Sequence, residues 1–478
     1  SQSQENAART ALQNNGVNMG NVHFVRAVTD SKWTRDYGPQ FAFDSNGDQG
    51  IVDHHYNRPR PNDDQVNYVV GAQWGIPVYG SPLIHTGGNY MCDGHHTGFS
   101  TNLVYNENPG LTHAQVDAYM YSYLGIDSYE VLPDIATSGI HHIDCWAKLL
   151  DEETILVKQV ATNHPNYTRI ENNVATLRGL TNAYGRPYNI ARIFCGSYSG
   201  DVAAYTNSVI LNGKVLVPLF GISTDSAALD TYRAHMPGYE VIGFTGSWLT
   251  DDAIHCRVMG IHDKYMLRVD VAPLPDTIAT PGDVRLEALI DDRSEAGLKG
   301  DSLRVYWRLA GQTQFQSVPM TAMAAPDSFY ADIPAQSPGS RVEYYVFAAD
   351  HSNRRSSRPP VAPAGVYSYF VDVDPAAVAP GAEASGIVFA SGRPSPFREG
   401  TDLSFRLPRP ASVRLTVSDI QGRQIAVLAD GRRFEAGTHT IRWDVTAQGS
   451  HPLAAGIYLV RLQAEGISLV RRVVHLGR

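Results

Sequence analysis

Two stretches rich in proline and small residues, 271–281 and 374–386, divide this 478-residue chain into three pieces of different character. Pro273, Pro275 and Pro281 recur at short spacing in the first stretch; the second, rich in Ala, Pro and Gly, reads as a spacer. Ahead of them, short apolar runs such as residues 154–160 alternate with turns and helix-like segments, the pattern of a mixed α/β unit. Asn212-Gly213, between 207–211 and 214–220, supplies the positive φ angles of a two-residue hairpin turn. No sequence repeat is visible. Behind the first stretch, strands are expected at 303–309, 328–333, 341–349 and 366–373, which suits a β-sandwich of about a hundred residues. Strands at 412–418, 438–443, 456–463 and 468–475, punctuated by Gly422, Gly437 and Gly466, suit a second small sandwich. The expected division is 1–272, 273–374, a linker at 375–386, and 387–478.

Composition narrows the function classes. Hydrophobic residues make up 43% and charged residues 18%, with 25 Tyr, which is a folded, β-leaning balance. No apolar run is long enough to span a bilayer, so no transmembrane segment is expected. No signal peptide is present; the chain opens at Ser1 on a polar run, as a processed or trimmed protein would, which leaves export open. The net charge of −9 is carried by the front of the chain, because the last hundred residues hold many Arg and no Lys. An acidic front favours a cationic substrate over nucleic acid. The four cysteines, Cys92, Cys145, Cys195 and Cys256, match no CxxC spacing, and a free catalytic one leaves room for at most one disulfide.

Three short motifs carry chemistry. In His142-Ile143-Asp144, a strand would turn both outer side chains to one face, where a carboxylate tunes an imidazole for acid–base work. An ordinary buried His–Asp bond fits the same residues. In Trp33-Thr34-Arg35-Asp36-Tyr37-Gly38-Pro39, Asp36 precedes a Gly-Pro turn, placed either to project into a cleft or to cap the turn. In Asp252-Ala253-Ile254-His255-Cys256-Arg257, preceded by Asp251, Cys256 is either a nucleophile, given a nearby cation, or a buried apolar thiol.

Taken together and in this order, with Cys145-Trp146-Ala147-Lys148 after the His/Asp pair and Asn207 before its hairpin, these motifs resemble the guanidino-group-modifying enzymes. His85-Thr86-Gly87-Gly88-Asn89 with Asp93-Gly94 is similar to the agmatine deiminases of that superfamily, and the fuller pattern resembles the bacterial, porphyromonas-type peptidylarginine deiminases over residues 1–272. The resemblance implies an α/β pentein propeller: ββαβ units around a pseudo-fivefold axis with the active site at its centre. It also implies roles. Asp36 and Asp144 would grip a guanidinium, His142 would shuttle protons, Cys256 would attack, and Asn207 would orient the site. No cofactor, metal or calcium is implied. Two carboxylates can bind the planar guanidinium fork while leaving its carbon open from above. Trp33 is expected either to stack on the substrate cation or to pack in the core.

Residues 57–64, Asn-Arg-Pro-Arg-Pro-Asn-Asp-Asp, bear on the substrate. In an extended, proline-stiffened loop Arg58 and Arg60 would project the same way and suit a carboxylate, which the resemblance implies is the C-terminus of an arginine peptide. Salt bridges to Asp63 or Asp64 are the plainer alternative. Thr137-Ser138-Gly139, before His142, offers no aromatic residue to close over a substrate. The expected partners are therefore arginine-containing peptides or proteins. An agmatine-type small-molecule deiminase and an inactive surface adhesin are the alternatives.

The pairs His54-His55, His95-His96 and His141-His142 fit no HxxxH or HExxH arrangement, and a metal-dependent amidohydrolase is the rival enzyme class. Asp44-Ser45-Asn46-Gly47-Asp48 resembles the start of a calcium loop without its closing Glu, and a polar hairpin turn is expected instead. Ser395-Pro396-Phe397, the segment 418–423 and Ala455-Gly456-Ile457-Tyr458 resemble type IX secretion sorting domains and the related FlgD-like Ig fold, and the sandwich before them is similar in placement to an Ig-like domain. A secreted or cell-surface protein that meets outer-membrane secretion machinery is the implied location.

Overall fold

The structure is a computed structural model that describes residues 1–136, 138–278, 282–371, 387–389, 397–419, 423–445, 453–454, 456–465 and 467–476. Thr137, the expected 375–386 linker, Ser395, Pro396, residues 420–422, Ala455 and Gly466 therefore lie outside the described residues. Among these, no helix is long and apolar enough to cross a membrane.

The front of the chain builds one arrangement four times. In each, a hairpin is followed by a helical crossover and a third strand that returns parallel to the second. β1 (Gln40–Phe43) pairs antiparallel with β2 (Gln49–Tyr56), and β3 (Val78–His85) returns parallel to it. The second sheet is β4 (Met91–Cys92), β5 (Thr97–Thr101) and β6 (Ser128–Leu132). The third is β7 (Ala147–Leu149), β8 (Thr154–Gln159) and β9 (Asn189–Phe194). After a small hairpin of β10 (Ser197–Tyr198) and β11 (Asp201–Val202), the fourth is β12 (Val209–Leu211), β13 (Lys214–Leu219) and β14 (Glu240–Thr245). These are the ββαβ units expected from the resemblance. Four are found between residues 40 and 245 rather than five, and no fifth sheet of this kind occurs among the described residues.

The crossovers have local reasons to be helical. The helix His113–Leu124 starts on a capping box, in which the Thr112 hydroxyl takes the Gln115 N–H and Gln115 returns a bond, and it stops where Gly125 adopts φ 66°. The middle strand of each unit has a partner on both edges and is covered on both faces. β5 is buried along its whole length, and Ile155, Leu156 and Val157 of β8 are fully buried, so these strands read as continuous runs rather than alternations. Asn212 and Gly213, at φ 47° and 77°, make the expected turn between β12 and β13. Asp44 accepts from the Asn46 and Asp48 N–H groups and shapes the β1–β2 hairpin turn.

Two all-β units follow, each with its own core. In the first, a four-stranded and a six-stranded sheet close over Ile290, Val305, Trp307, Ala331, Tyr344 and Val346. Its edge strand, Leu267–Asp270, pairs with Val284–Asp292 although it precedes the proline-rich stretch, so this sandwich begins within the expected 1–272 unit. It is tied to the front unit by Arg358 with Glu152 at 3.4 Å, Arg186 to the Pro273 carbonyl at 2.9 Å, and Arg354 with Asp263. The last unit has sheets of three and four strands around Phe405, Leu415, Trp443 and Val460, with Phe397 and Tyr458 of the expected tail motifs both packed on Trp443.

Candidate active site

The same place in every unit, the segment leading into its first strand, supplies the site. Asp36 stands on a single helical turn, Thr34–Tyr37, just before β1. Gly87–Asn89 forms a 3-10 turn before β4, and Ile143–Cys145 forms another before β7. Asn207 precedes β12, and Cys256 follows β14 on the turn His255–Arg257. Chain topology thus gathers residues some fifty positions apart. The expectation that His142 and Asp144 lie on a strand is corrected here. His142 is an extended residue entering the 3-10 turn that carries Asp144, and the two reach the same buried cluster from a turn.

Asn207 is the joint of this cluster. It is fully buried, and all its bonding capacity is used. Its Oδ1 accepts from Ala253 N at 3.0 Å and Cys256 N at 3.3 Å, and its carbonyl accepts from His255 N at 3.1 Å. Its Nδ2 donates to Asp144 Oδ2 at 3.1 Å and lies 3.1 Å from Cys256 Sγ. The same carboxylate oxygen accepts from His255 Nδ1 at 2.6 Å. Asn207 therefore fixes both the backbone that presents Cys256 and the carboxylate beside its sulfur.

His142, 2% exposed, has Nε2 3.1 Å from the Thr86 hydroxyl and Nδ1 3.6 Å from Asp36 Oδ1. Gly88 permits that approach, because a Cβ there would stand 2.5 Å from His142 Nδ1 and 2.7 Å from Asp36 Oδ1. A Cβ on Gly87 would meet the Arg35 carbonyl at 2.1 Å. Asn89 accepts from Ile143 N at 3.1 Å and from Thr101, which anchors the His142–Asp144 turn.

Burial governs the protonation states. It pushes Asp36 up to about 8, with the neighbouring Asp144 adding to the effect. Burial likewise raises Asp144, and it brings His142 down to about 3, helped by the Arg58 charge. The Cys256 thiol is pushed well up by burial, Asp144 and Asp36. A cation brought between the two carboxylates would reverse these trends, favouring carboxylate and thiolate together. Two cavities adjoin the cluster. One of about 840 Å³ is lined by Ser138, Gly139, His142, Cys145 and Asp251 among others, and one of about 300 Å³ by Arg35, Asp144, Lys148 and His255.

The extended loop expected to aim Arg58 and Arg60 the same way is not found. Arg60 N donates to the Arg58 carbonyl at 2.7 Å, which closes a three-residue turn on Pro59, so the loop is not extended there. Arg60 donates to the Tyr56 hydroxyl at 2.7 Å, and its guanidinium lies 4.5 Å from the Trp33 ring centre. The cation over Trp33 is thus the chain's own. Arg58 makes no side-chain hydrogen bond or ion pair among the described residues, and its charge reaches Asp36 and His142. Asp63 binds Asp30 N and Ser31, and Asp64 binds Tyr56 N and His55, so neither neutralises Arg58. All four cysteines are unpaired, and no cluster of three or more His, Cys, Asp or Glu suited to a metal occurs among the described residues.

Four contributors were not assigned roles from sequence: Thr86, Asn89, His255 and Lys148. All fall inside the motifs quoted above, so the signal was their adjacency to the assigned residues.

The profile of the Porphyromonas-type peptidyl-arginine deiminases matches residues 1–261. The agmatine deiminase of Stutzerimonas stutzeri is 26% identical over 294 residues, 52% of this chain and 78% of its own. That of Pseudomonas aeruginosa is 25% identical over 281 residues, 50% of this chain and 76% of its own. The solved agmatine deiminase of Enterococcus faecalis is 24% identical, with a TM-score of 0.41, across 45% of this chain and 69% of that one.

Proposed function

Because the chain belongs to the Porphyromonas-type peptidyl-arginine deiminase family, we propose that it hydrolyses the guanidino group of an arginine-type substrate through Cys256. The observation that carries this reading is the junction at Asn207, which sets a buried thiol 3.1 Å from its amide and beside the Asp144 carboxylate. Asp36 and Asp144 hold the guanidinium by charge-assisted hydrogen bonds. Cys256 Sγ attacks the central carbon as its proton passes to neutral His142. His142 hands that proton to the departing nitrogen, ammonia leaves, and a thiouronium remains on the sulfur. Water then adds to the same carbon with His142 as base, and the carbon–sulfur bond breaks to give the ureido product and free Cys256.

For the substrate, the unneutralised Arg58 beside Asp36 and His142 supports a ligand that brings an anionic group, as an arginine peptide does at its C-terminal carboxylate. The large cavity, about 840 Å³, is in the range that accommodates more than a small diamine. A second reading, agmatine as substrate, is favoured by the names of the relatives and by the withdrawal of Arg60 onto Trp33 and Tyr56, which leaves one arginine where a carboxylate clamp would use two. Export through a type IX route, with the last unit as its signal, is proposed on the tail motifs alone.

The test measures ureido product and ammonia from three substrates: a peptide ending in arginine, its C-terminal amide, and agmatine. Each is given to wild type and Cys256→Ala. Turnover of the free-carboxylate peptide, lost in Cys256→Ala and weakened in Arg58→Ala, is the expected result. Turnover of agmatine alone would transfer the protein to the second reading. Turnover that survives in Cys256→Ala would overturn the thiol mechanism.

A further inference from the structure

Around the small cavity that Asp144 lines stand two cations, Lys148 and Arg35, whose charged groups make no hydrogen bond or ion pair among the described residues. Lys148 lies on β7, three residues after the turn that carries Ile143–Cys145 begins to close, and is only 9% exposed. Its ammonium makes no hydrogen bond or ion pair among the described residues. Arg35 precedes Asp36 on the same helical turn, and its Nε is buried without a partner. Both side chains line the cavity of about 300 Å³ together with Asp144 and His255. Burying a lysine without a paired anion is costly, so its retention here calls for a compensating interaction.

The charges around Cys256 supply one. Asp36, Asp144 and Asp252 face the sulfur as anions or potential anions. Asp252 is already neutralised by Arg257 at 2.7 Å. His142 and His255 are held neutral, their values lowered first by burial, and burial keeps Cys145 protonated. Arg35 and Lys148 are the positive groups whose charge interacts with both Asp144 and Cys256.

We propose that Arg35 and Lys148 are positioning residues of the reaction, a cationic wall beside Asp144 that allows Asp36, Asp144 and the Cys256 thiolate to be negative at the same time. With a guanidinium held by Asp36 and Asp144, the pair adds positive charge that acts on both Asp144 and Cys256, which favours the thiolate when it attacks. The proposal rests on the reading of Cys256 as nucleophile. Burial pulls Lys148 down, and the Asp144 and Cys256 charges pull it back up, which is the same coupling seen from the lysine.

The experiment follows carboxamidomethylation of Cys256 by iodoacetamide against pH, without substrate, by mass spectrometry of the peptide that contains it. This reports thiolate at that one sulfur although Cys92, Cys145 and Cys195 are also free. Lys148→Met and Arg35→Gln should each raise the midpoint by about one pH unit, and Lys148→Arg should keep the wild-type midpoint. A midpoint unmoved in Lys148→Met, or moved equally in Lys148→Arg, would overturn the proposal, the latter because shape and not charge would then matter. If Lys148→Met does not fold, Arg35→Gln decides by the same readout. Alkylation requires no turnover, so a wild type with a charge-dependent midpoint that deiminates nothing defeats the nucleophile reading and leaves the charge coupling established.

Discussion

Asp36 feels the Asp144 carboxylate, and among the described residues only a neutral imidazole, 3.6 Å away, lies within ion-pair reach of it. Burial and Asp144 together lift its value from the ordinary 3.8 to about 8. The folded, unliganded protein therefore keeps a proton on Asp36 that the unfolded chain has already lost. Stability from this group is full below about pH 4 and is lost as pH climbs through 8. A guanidinium reverses the sign, since it binds the ionised form. Asp36→Asn should remove that slope. The substituted protein is expected to melt roughly 2–4 °C higher than wild type at pH 8, to differ little at pH 4, and to lose deimination. Differential scanning calorimetry at both pH values checks this. Equal melting temperatures at pH 8 would mean that Asp36 is already ionised without substrate.

At the scale of elements, the connecting turns matter more than the strands they join. Gly88 shows why: alanine there would place a carbon 2.5 Å from His142 Nδ1 and 2.7 Å from Asp36 Oδ1, so both side chains would have to shift. Gly88→Ala should cost about 1–3 kcal/mol of stability and lower kcat at least tenfold by spreading the two side chains apart. Steady-state kinetics beside a urea melt would separate these effects, and unchanged kcat would show that His142 and Asp36 need not stand so close. The same turns explain what sequence could convey. Asn212-Gly213 and the strands at 328–333 and 341–349 were legible because a hairpin turn needs positive φ and because each strand of that sandwich buries alternate residues. The fourfold ββαβ repetition was not. Its middle strands need only be apolar on both faces, and β5 (Thr97–Thr101, TGFST) and β8 (Thr154–Gln159, TILVKQ) meet that need with unrelated residues. Asp36, His142, Asp144 and Cys256, which the structure brings together, were singled out through motif order. The extended-loop premise for Arg58 and Arg60 failed because a two-residue spacing predicts a shared direction only in extended chain, and Arg60 N bonded to the Arg58 carbonyl bends the loop.

The whole molecule divides unevenly around its catalytic unit. Every residue of the site lies between Trp33 and Cys256, and the front unit, the first sandwich and the last unit each close around a separate apolar core. The first sandwich is nevertheless bound to the front by charged and backbone contacts. Arg358 pairs with Glu152, and Arg186 reaches from Glu153 to the Pro273 carbonyl. Gly238 and Gly365 pack so closely that a Cβ on Gly238 would stand 2.3 Å from Gly365 N. The two should therefore unfold as partners, while the last unit is separable. A chain ending at residue 371 is expected to keep the kcat/KM of the full chain and the melting temperature of its catalytic transition. A chain ending at 266 would lose Arg358 beside Glu152 and the Pro273 carbonyl that Arg186 binds, and would uncover the surface around Met236, Pro237 and Tyr239. It is expected to melt several degrees lower and to aggregate on heating. Loss of turnover in the 1–371 chain would show that the last unit supports catalysis directly. Equal melting of the 1–266 and 1–371 chains would show that the sandwich contacts contribute nothing to the stability of the site.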